Sequence, residues 1–538
     1  MCNNMIITDL VENNARVYQD KIAIIERYYD KKSDVINKEG KSDKSYSRRV
    51  ITWKEIDKQS NKIANYLISL NVKKGDKFAV VMANCIEWFP IYYGILKAGA
   101  IVVPIDFRSS AENLKYCMEL AQCSGVFFSK DSENQISVVS NYMKELYFIF
   151  LGEEKPDYAL GLSEEIKNCK EDSPQIALSE DDYAGIYFSS GTTGFPKAIL
   201  HRHRALVATA KTEIDNHGET QNDVLLSMPP LYHMGAIVNC FGCLMAGSTV
   251  VLLNTIAHKY LFETLSEEKI TIAGFLLPWM YDILDAIGCK DIKLEDYDLT
   301  NWRLMHTGAQ PVPIDAIKRW MEQFPAHSFD LDYGLTEAAG PGCTHLYFEN
   351  IDALKSRSFD GYCIGKKGCG WEVKILDDNH NVMKTGQIGE LAVKGSGVMA
   401  EYFRNEEANA TTLIDGWLLT GDMAYEDEEG YVYIAGRKKD MIISAGENIY
   451  PVQIEDYLRK KEGIKDVAVI GMPNQRLGEI VVAIVELISG YTYKKRDIIN
   501  LCKDLPEYMR PQKIIFDTIP RNATGKVDKK TLKKTYIQ

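Results

Sequence analysis

The stretch YYGILKAGAIVVPID, residues 92–106, reads as a helix that reaches Ala98-Gly99 and gives way to a buried, β-branched strand. The same grammar returns in MGAIVNCFGCLMAGSTVVLL, residues 234–253. It is helix-like from Ala236 to Ala246, breaks at Gly247-Ser248 and is β-branched from Thr249 to Leu253. Two copies of helix, small-residue break and apolar strand suit an α/β core with strands buried on both faces. No charged residue falls between His233 and His258, a length that could span a bilayer. The Gly-Ser punctuation argues for a helix followed by a strand, so no membrane span is expected. Cys240 and Cys243 form a C-x-x-C within this stretch. With no second pair, on an apolar segment, they read as core packing.

Working outward, WKEIDKQSNKIANYLISLN (53–71) is an amphipathic helix with Ile56, Ile63, Leu67 and Leu70 on one face. Gly75-Asp76 breaks it, KFAVVM follows as a buried strand, and a further helix begins near Ile86. Strand, helix, strand implies parallel pairing through right-handed crossovers. Residues 30–49, polar and Lys/Ser-rich, read as an excursion loop. From 362 to 435 the chain changes to short alternating runs, WEVKIL, GELAVKG and GYVYIAG, divided by turn pairs such as Asp378-Asn379 and Glu429-Gly430. That is a β-rich subdomain. Beyond Gly436, QIEDYLRKKEG, DVAVIGM and EIVVAIVEL return to helix and strand alternation and read as a small α+β domain of about 100 residues. The expected fold is therefore α/β. A large N-terminal domain (1–436) holds mixed and parallel sheets and the β-rich subdomain, and a small C-terminal domain covers 437–538.

Composition excludes several classes. Lys+Arg number 63 against 75 Asp+Glu, a formal net charge of −12 over 538 residues, which is not the basic balance of a nucleic-acid binder. Hydrophobic residues at 46% and charged residues at 26% are ordinary for a globular chain, so disordered and collagen-like classes are out. Twelve cysteines show no regular spacing. The opening MCNNMIITDLVENNARVYQD has neither a basic n-region nor an apolar h-region. The expectation is a cytoplasmic protein with reduced thiols.

Four segments carry chemistry. In YAGIYFSSGTTGFPKA (183–198), Ser189, Ser190, Gly191, Thr192, Thr193, Gly194 and Lys197 gather four hydroxyls, two glycines and an amine within nine residues. Glycines let consecutive N–H groups form an anion nest, and hydroxyls and Lys add donors and charge, so a polyphosphate suits the loop. The spacing is not that of a Walker A loop: two residues separate Gly191 from Gly194, and Lys197 comes three later. In LDYGLTE (331–337), Tyr333 offers a flat face for a base and Glu337 a hard oxygen for Mg²⁺. LTGD (419–422) precedes GRKKDMIISAGENI (436–449), and the Asp422 carboxylate can accept both hydroxyls of a ribose. PRNATGK (520–526) is a glycine-bearing loop that ends in Lys526.

In this order the four segments resemble the adenylate-forming superfamily of acyl-CoA synthetases, amino-acid adenylation domains and firefly-type luciferases. The likeness runs from about Ile51 to Lys529. It implies a large N-terminal domain, a small mobile C-terminal domain and two half-reactions with ATP, Mg²⁺ and coenzyme A. A carboxylate would attack the α-phosphate to give acyl-AMP and pyrophosphate, and a thiol would then attack the acyl carbon. By match to the family's motifs, Ser189 to Lys197 would hold the β- and γ-phosphates. Gly308, Ala309 and Gln310, with Asp332, Tyr333 and Gly334, would frame the adenine. Thr336 would contact the α-phosphate, Glu337 would bind Mg²⁺, and Asp422 and Arg437 would grip the ribose. Lys526 would bridge carboxylate and α-phosphate, Lys439 would be the hinge, and Gly446 would line the pantetheine tunnel. His233, in PPLYHMG, would form a gate at the acyl pocket, and the run His201-Arg202-His203-Arg204 reads as a solvated or pyrophosphate-side basic patch.

The expectation is an acid–thiol ligase acting on a small-molecule carboxylic acid, fatty or related, of fatty acid metabolism, with no nucleic acid as partner and no membrane span. The alternative is a stand-alone adenylation enzyme that loads an acyl or amino acid onto a carrier protein. Amino-acid activators usually carry an Asp where this chain has Leu231-Tyr-His-Met-Gly235, which disfavours a substrate ammonium. A non-catalytic nucleotide sensor is disfavoured because Lys526, Glu337 and Asp422 are all present.

Overall fold

Gly99 and Gly247, at φ +78° and +76°, mark where the two deciding stretches turn from helix to strand. Trp88–Lys97 is a helix and Ile101–Pro104 a strand; Met234–Ala246 is a helix and Thr249–Leu253 a strand. The left-handed Gly247 closes the second helix, its N–H donating to the carbonyls of Cys243 and Leu244, a conformation that a Cβ would strain. The computed structural model describes residues 4–29, 46–189, 196–357, 359, 361–521 and 527–537. Among these, no helix is long and apolar enough to cross a membrane.

The described strands form three sheets of fourteen, eight and five. In the eight-stranded sheet, Lys77–Val81 pairs in parallel with both Ile101–Pro104 and Gly125–Ser129. Ile101–Pro104 in turn runs parallel to Tyr183–Ser189. In the fourteen-stranded sheet, Val224–Ser227, Thr249–Leu253, Ile272–Gly274, Leu304–Gly308 and Ser328–Leu335 are joined in parallel. Gly340–Phe348 then reverses the direction. It leads into the antiparallel strands Tyr362–Lys367, Trp371–Leu376, Gly389–Gly395, Trp417–Glu426 and Val432–Arg437, the β-rich region. The five-stranded sheet belongs to the C-terminal part. Its hairpin Ile464–Asn474 with Gly478–Leu487 is covered by the helix Pro451–Arg459. This is a mixed α/β fold with a large N-terminal and a smaller C-terminal domain.

The two helices of the deciding stretches lie between the two large sheets, in one core cluster with strand residues of both, among them Phe78, Val102, Tyr187, Val250 and Leu304. Tyr92 packs on Phe241 with ring centroids 5.5 Å apart, and its hydroxyl meets that of Tyr187 at 2.7 Å. A helix apolar all round belongs in such a layer, and each large side chain buried there contributes about 1.5–3 kcal/mol. Cys240 and Cys243 are buried in this core, and every described cysteine is free. The helix Trp53–Ser69 buries Ile56, Ile63 and Leu67 and starts on a Thr52/Glu55 capping box, with Leu70 just past its end.

One expectation is corrected. Of the expected loop 30–49, residues 46–49 belong to the strand Tyr46–Thr52, which pairs antiparallel with Ile22–Tyr29 at the sheet edge. Its polar composition is that of an edge strand whose arginines pair outward. Arg48 bonds Glu268 at 2.9 Å, and Arg49 bonds Glu26 and Glu87, each at 2.5 Å. Residues 30–45 lie outside the described residues.

Candidate active site

The strand Ser328–Leu335 alternates. Asp330 and Asp332 face inward and are buried, while Tyr333 lies on the opposite side among Leu335, Ile364 and Ile434. The neighbouring strand ends at Gly308, in register with Asp332. A Cβ at 308 would stand 2.5 Å from the Asp332 carbonyl oxygen, so only glycine permits this approach. Ala309 follows at φ +67°. These residues sit at the carboxyl ends of parallel strands, where open α/β sheets leave their crevices.

The Tyr333 hydroxyl donates to Asp422 Oδ2 at 2.6 Å, and Arg437 Nε forms an ion pair with Asp422 Oδ1 at 2.7 Å. Asp422 and Arg437 are themselves partners in the antiparallel register of their strands. Asp422 is 4% exposed, whereas the Arg437 side chain is 47% exposed. One buried carboxylate thus links an aromatic face to a half-exposed cation. Burial, and then the charge of Asp422, push the Tyr333 hydroxyl well above its usual range, so it stays a donor.

After Leu335 the chain makes a tight turn through Thr336, Glu337 and Ala338, reversing at Ala339 with φ +56°. His201, on the strand Lys197–Arg202, donates from Nε2 to the Thr336 carbonyl at 2.7 Å. Burial pushes this imidazole down to about 4 against the pull of that bond, and Nδ1 has no hydrogen-bond partner. A neutral Nε2–H tautomer follows. Tyr402 donates to Glu337 Oε1 at 2.9 Å, and the Met399 N–H donates to the Glu337 carbonyl at 2.8 Å. Lys197 Nζ stands 4.2 Å from the centroid of the Tyr402 ring, a cation–π contact. Ser189 and Lys197 face each other at the end of a hairpin.

The structure therefore gathers Ser189, Lys197, Thr336, Glu337, Tyr333, Gly334, Gly308, Ala309, Asp422 and Arg437 around one region, with the half-buried Gln310 two residues beyond Gly308. Asp332 differs: its carboxylate turns to His217 and His306, so on the side of Tyr333 it offers its backbone. Ser190, Gly191, Thr192, Thr193, Gly194 and Lys526 lie outside the described residues. His233 is the residue just before the helix Met234–Ala246, which packs Met234 and Val238 against Gly340 just past the Glu337 turn. Its ring lies 4.4 Å from that of Tyr232, whose hydroxyl accepts from Arg108. Lys439 is exposed in the turn Lys438–Asp440, directly after Arg437. Gly446, at φ +87°, is exposed in the turn between Ile442–Ser444 and Glu447–Ile449.

A family profile described as AMP-binding enzyme matches residues 11–403, and its C-terminal-domain counterpart matches 453–526. The chain belongs to the AMP-binding enzyme family. It is 30% identical over 492 residues to a long-chain-fatty-acid–CoA ligase, FadD13, of Mycobacterium tuberculosis, covering 90% of this chain and 93% of that one. It is 29% identical over 491 residues to a 2-succinylbenzoate–CoA ligase of Oceanobacillus iheyensis, covering 90% and 94%. Among solved structures, ATP-bound MatB from Rhodopseudomonas palustris superposes with a TM-score of 0.83 at 25% identity, over 99% of both chains. This AMP-binding enzyme is an acid–thiol ligase in class, and its relatives are named for different acids.

Three residues of this AMP-binding enzyme escaped the sequence reading. Tyr402 and Met399 lie about 60 residues from Glu337 in a segment with no motif spacing, and only the pairing of Glu401–Tyr402 with Leu200–Ile199 brings them in. His201 was legible only as part of a basic run. That expectation is corrected: His201 and His203 are buried, at 0% and 1% exposure, and Arg204 pairs with Asp181. Strand alternation turns the His201 ring inside, and His203, the first residue of the helix His203–His217, is buried at the start of that helix.

Proposed function

We propose that this chain activates a carboxylic acid, fatty or a related organic acid, with ATP and transfers it to coenzyme A. In the first half-reaction a carboxylate oxygen bonds to the α-phosphorus of ATP and the bond to pyrophosphate breaks, leaving acyl-AMP. In the second, the thiol sulfur bonds to the acyl carbon, AMP leaves with the bonding electrons, and the thiol proton is released. The mixed anhydride is needed because a free carboxylate has no good leaving group.

The observation that carries this reading is the Tyr333–Asp422–Arg437 bridge beside the Thr336–Glu337 turn. Asp422 accepts from ribose hydroxyls, Arg437 helps hold them, and Tyr333 stacks on the base, with Gly308 to Gln310 and the backbone of Asp332 to Gly334 around it. Lys197 and Ser189, with Ser190 to Gly194, cradle the β- and γ-phosphates, and Thr336 contacts the α-phosphate. His201 and Tyr402 are positioning residues that fix the Thr336 carbonyl and the Glu337 carboxylate. Glu337 suits Mg²⁺: Tyr402 takes one oxygen, and the other accepts no hydrogen bond among the described residues. Bound there, Mg²⁺ would neutralise phosphate charge.

Lys526 acts on the charge that develops between carboxylate and α-phosphate. His233, next to Tyr232, gates the acyl pocket. Lys439 is the hinge between a 1–436 and a 437–538 domain, and Gly446 leaves a path for the thiol. The spread of acids in the relatives' names, a long-chain fatty acid and 2-succinylbenzoate, supports an organic acid without an α-amine.

The test is a panel of straight-chain, aromatic and dicarboxylic acids. Pyrophosphate and AMP are measured with Mg·ATP, with and without coenzyme A or a pantetheinylated carrier protein. Acid-dependent pyrophosphate release with coenzyme A-driven turnover is expected. Turnover driven by the carrier alone would replace the acceptor, and ATP cleavage indifferent to every acid would overturn the reading.

A further inference from the structure

Behind the strand that carries Tyr333, five buried acid and imidazole side chains converge. Glu213 and His217, one helical turn apart near the end of His203–His217, face Asp330 and Asp332 on the inward side of Ser328–Leu335, with Glu219 just past the helix. Their exposures are 0%, 4%, 0%, 3% and 7% respectively. His217 stands at the centre. Its Nδ1 is 3.6 Å from Glu213 Oε2 and 3.7 Å from Glu219 Oε1; its Nε2 is 3.2 Å from Asp330 Oδ2 and 3.3 Å from Asp332 Oδ2. His345 and His306 flank the group, approaching Asp330 and Asp332 at 3.3 and 3.8 Å.

These are ion-pair distances, yet several of the polar atoms make no hydrogen bond. Both oxygens of Glu213, both of Asp332, one of Asp330 and one of Glu219 accept no hydrogen bond, and His217 Nε2 makes none. A buried polar atom left without a hydrogen bond is costly, and native interiors leave few such atoms. Glu213 faces His217 Nδ1 and Asp332 faces Nε2, so an ion shared by the three would take one ring nitrogen and draw the carboxylate on the other edge toward it. Two donors at about 2.0–2.2 Å in a tetrahedron stand about 3.4 Å apart. Donor atoms of Glu213, His217 and Asp332 all lie within 4.8 Å of one another.

We propose that Glu213, His217 and Asp332 hold a zinc-class divalent cation in a buried structural site. Imidazole nitrogen with carboxylate oxygen, and no thiolate, selects Zn²⁺ or a near neighbour over Mg²⁺ and Ca²⁺, which favour all-oxygen shells. Whichever ring nitrogen of His217 binds, the other faces a carboxylate, the partner that fixes a metal-bound imidazole. The ion ties the helix His203–His217 to the strand Ser328–Leu335, one residue before Tyr333 and four before Thr336. It is distinct from the Mg²⁺ that accompanies ATP: the carboxylates lie on the face of the strand opposite Tyr333, and the ion touches no substrate.

Elemental analysis of the full-length protein, purified without chelator or a histidine tag, tests this. About one first-row divalent ion per chain is expected to survive gel filtration. Extraction with a strong chelator should lower Tm, and Zn²⁺ but not Mg²⁺ should restore it. Exchange for Co²⁺ should give visible ligand-field absorption of imidazole–carboxylate coordination. Glu213→Gln and His217→Gln should lose the ion; if either fails to fold, the wild-type stoichiometry and the Co²⁺ spectrum still decide. Wild-type protein that is metal-free, takes up no Zn²⁺, Mn²⁺ or Co²⁺ stoichiometrically and shows no Tm change with any of them would overturn the proposal and leave a cluster held by protons alone. Full metal content in folded Glu213→Gln would overturn the ligand set.

Discussion

Replacing Asp422 by Asn probes the bridge on which the nucleotide reading rests. The carboxylate takes the Tyr333 hydroxyl at 2.6 Å and Arg437 Nε at 2.7 Å. Asn keeps the shape and one acceptor oxygen but loses the charge, and its NH₂ group faces a donor. Hydrogen bonds to a charged group are worth about 1.5–3 kcal/mol, neutral ones about half that. A ribose held by this carboxylate should therefore lose about 1.4–2.7 kcal/mol, a fall of about 10- to 100-fold in kcat/KM for ATP. Folding should suffer less. The Arg437 side chain is 47% exposed, so water solvates the cation left behind, and the loss should stay near 1 kcal/mol. Pyrophosphate release against ATP concentration at saturating acid measures the first effect, and a thermal melt the second. Tyr333→Phe, which leaves the carboxylate intact, should cost less. An unchanged KM for ATP in folded Asp422→Asn would refute the ribose role.

Glu337→Gln should raise the Mg²⁺ concentration needed for half-maximal adenylation and lower the rate, because a neutral oxygen is a poorer ligand for a hard dication; an unchanged Mg²⁺ titration counts against the role. Lys439→Pro, which fixes φ near −65° in the turn after Arg437, should spare acyl-AMP formation. Thioester formation from pre-made acyl-AMP should fall by about a hundredfold, about 2.7 kcal/mol; parallel single-turnover measurements decide, and a fall in both would mean a damaged fold. Acid should destabilise the protein early. Burial pushes His203 down to about 4 and His327, which accepts from Trp320 Nε1, down to about 3. The unfolded chain therefore binds more protons than the fold below about pH 6.5, and stability present above that pH is lost as it drops toward 4. Each ring contributes as much as about 1.4 kcal/mol per pH unit, so denaturant midpoints at pH 7, 6 and 5 should fall steeply, and His327→Gln should flatten the slope.

The sequence carried the layer order because helix, glycine break and β-branched strand are local signals, and Gly99 and Gly247 mark them by their positive φ. It carried Tyr333, Thr336, Glu337, Asp422 and Arg437 as motif positions, and the structure joins Tyr333, Asp422 and Arg437 directly, with Thr336 and Glu337 in the turn that follows Tyr333. What it could not carry were side chains whose roles depend on pairing between distant strands. Tyr402 reaches Glu337 only because Glu401–Tyr402 adds to the edge of the Lys197–Arg202 strand. His201 looked solvated within a basic run, yet the strand turns it inward beneath Thr336. Asp332 was read with Tyr333 as one unit, although adjacent strand residues point to opposite faces. The polar stretch 46–49 hid an edge strand because its partners, Glu26 and Glu268, come from far along the chain.

The central claim is that the acid is joined to AMP before any thiol takes part. Exchange of labelled pyrophosphate into ATP, measured with Mg²⁺ and the best acid of the panel but without coenzyme A, tests it most directly. Acid-dependent exchange, abolished by omitting the acid and suppressed in Asp422→Asn, is the predicted result. Exchange that needs coenzyme A, or ATP cleavage to ADP and phosphate in place of exchange, would contradict it.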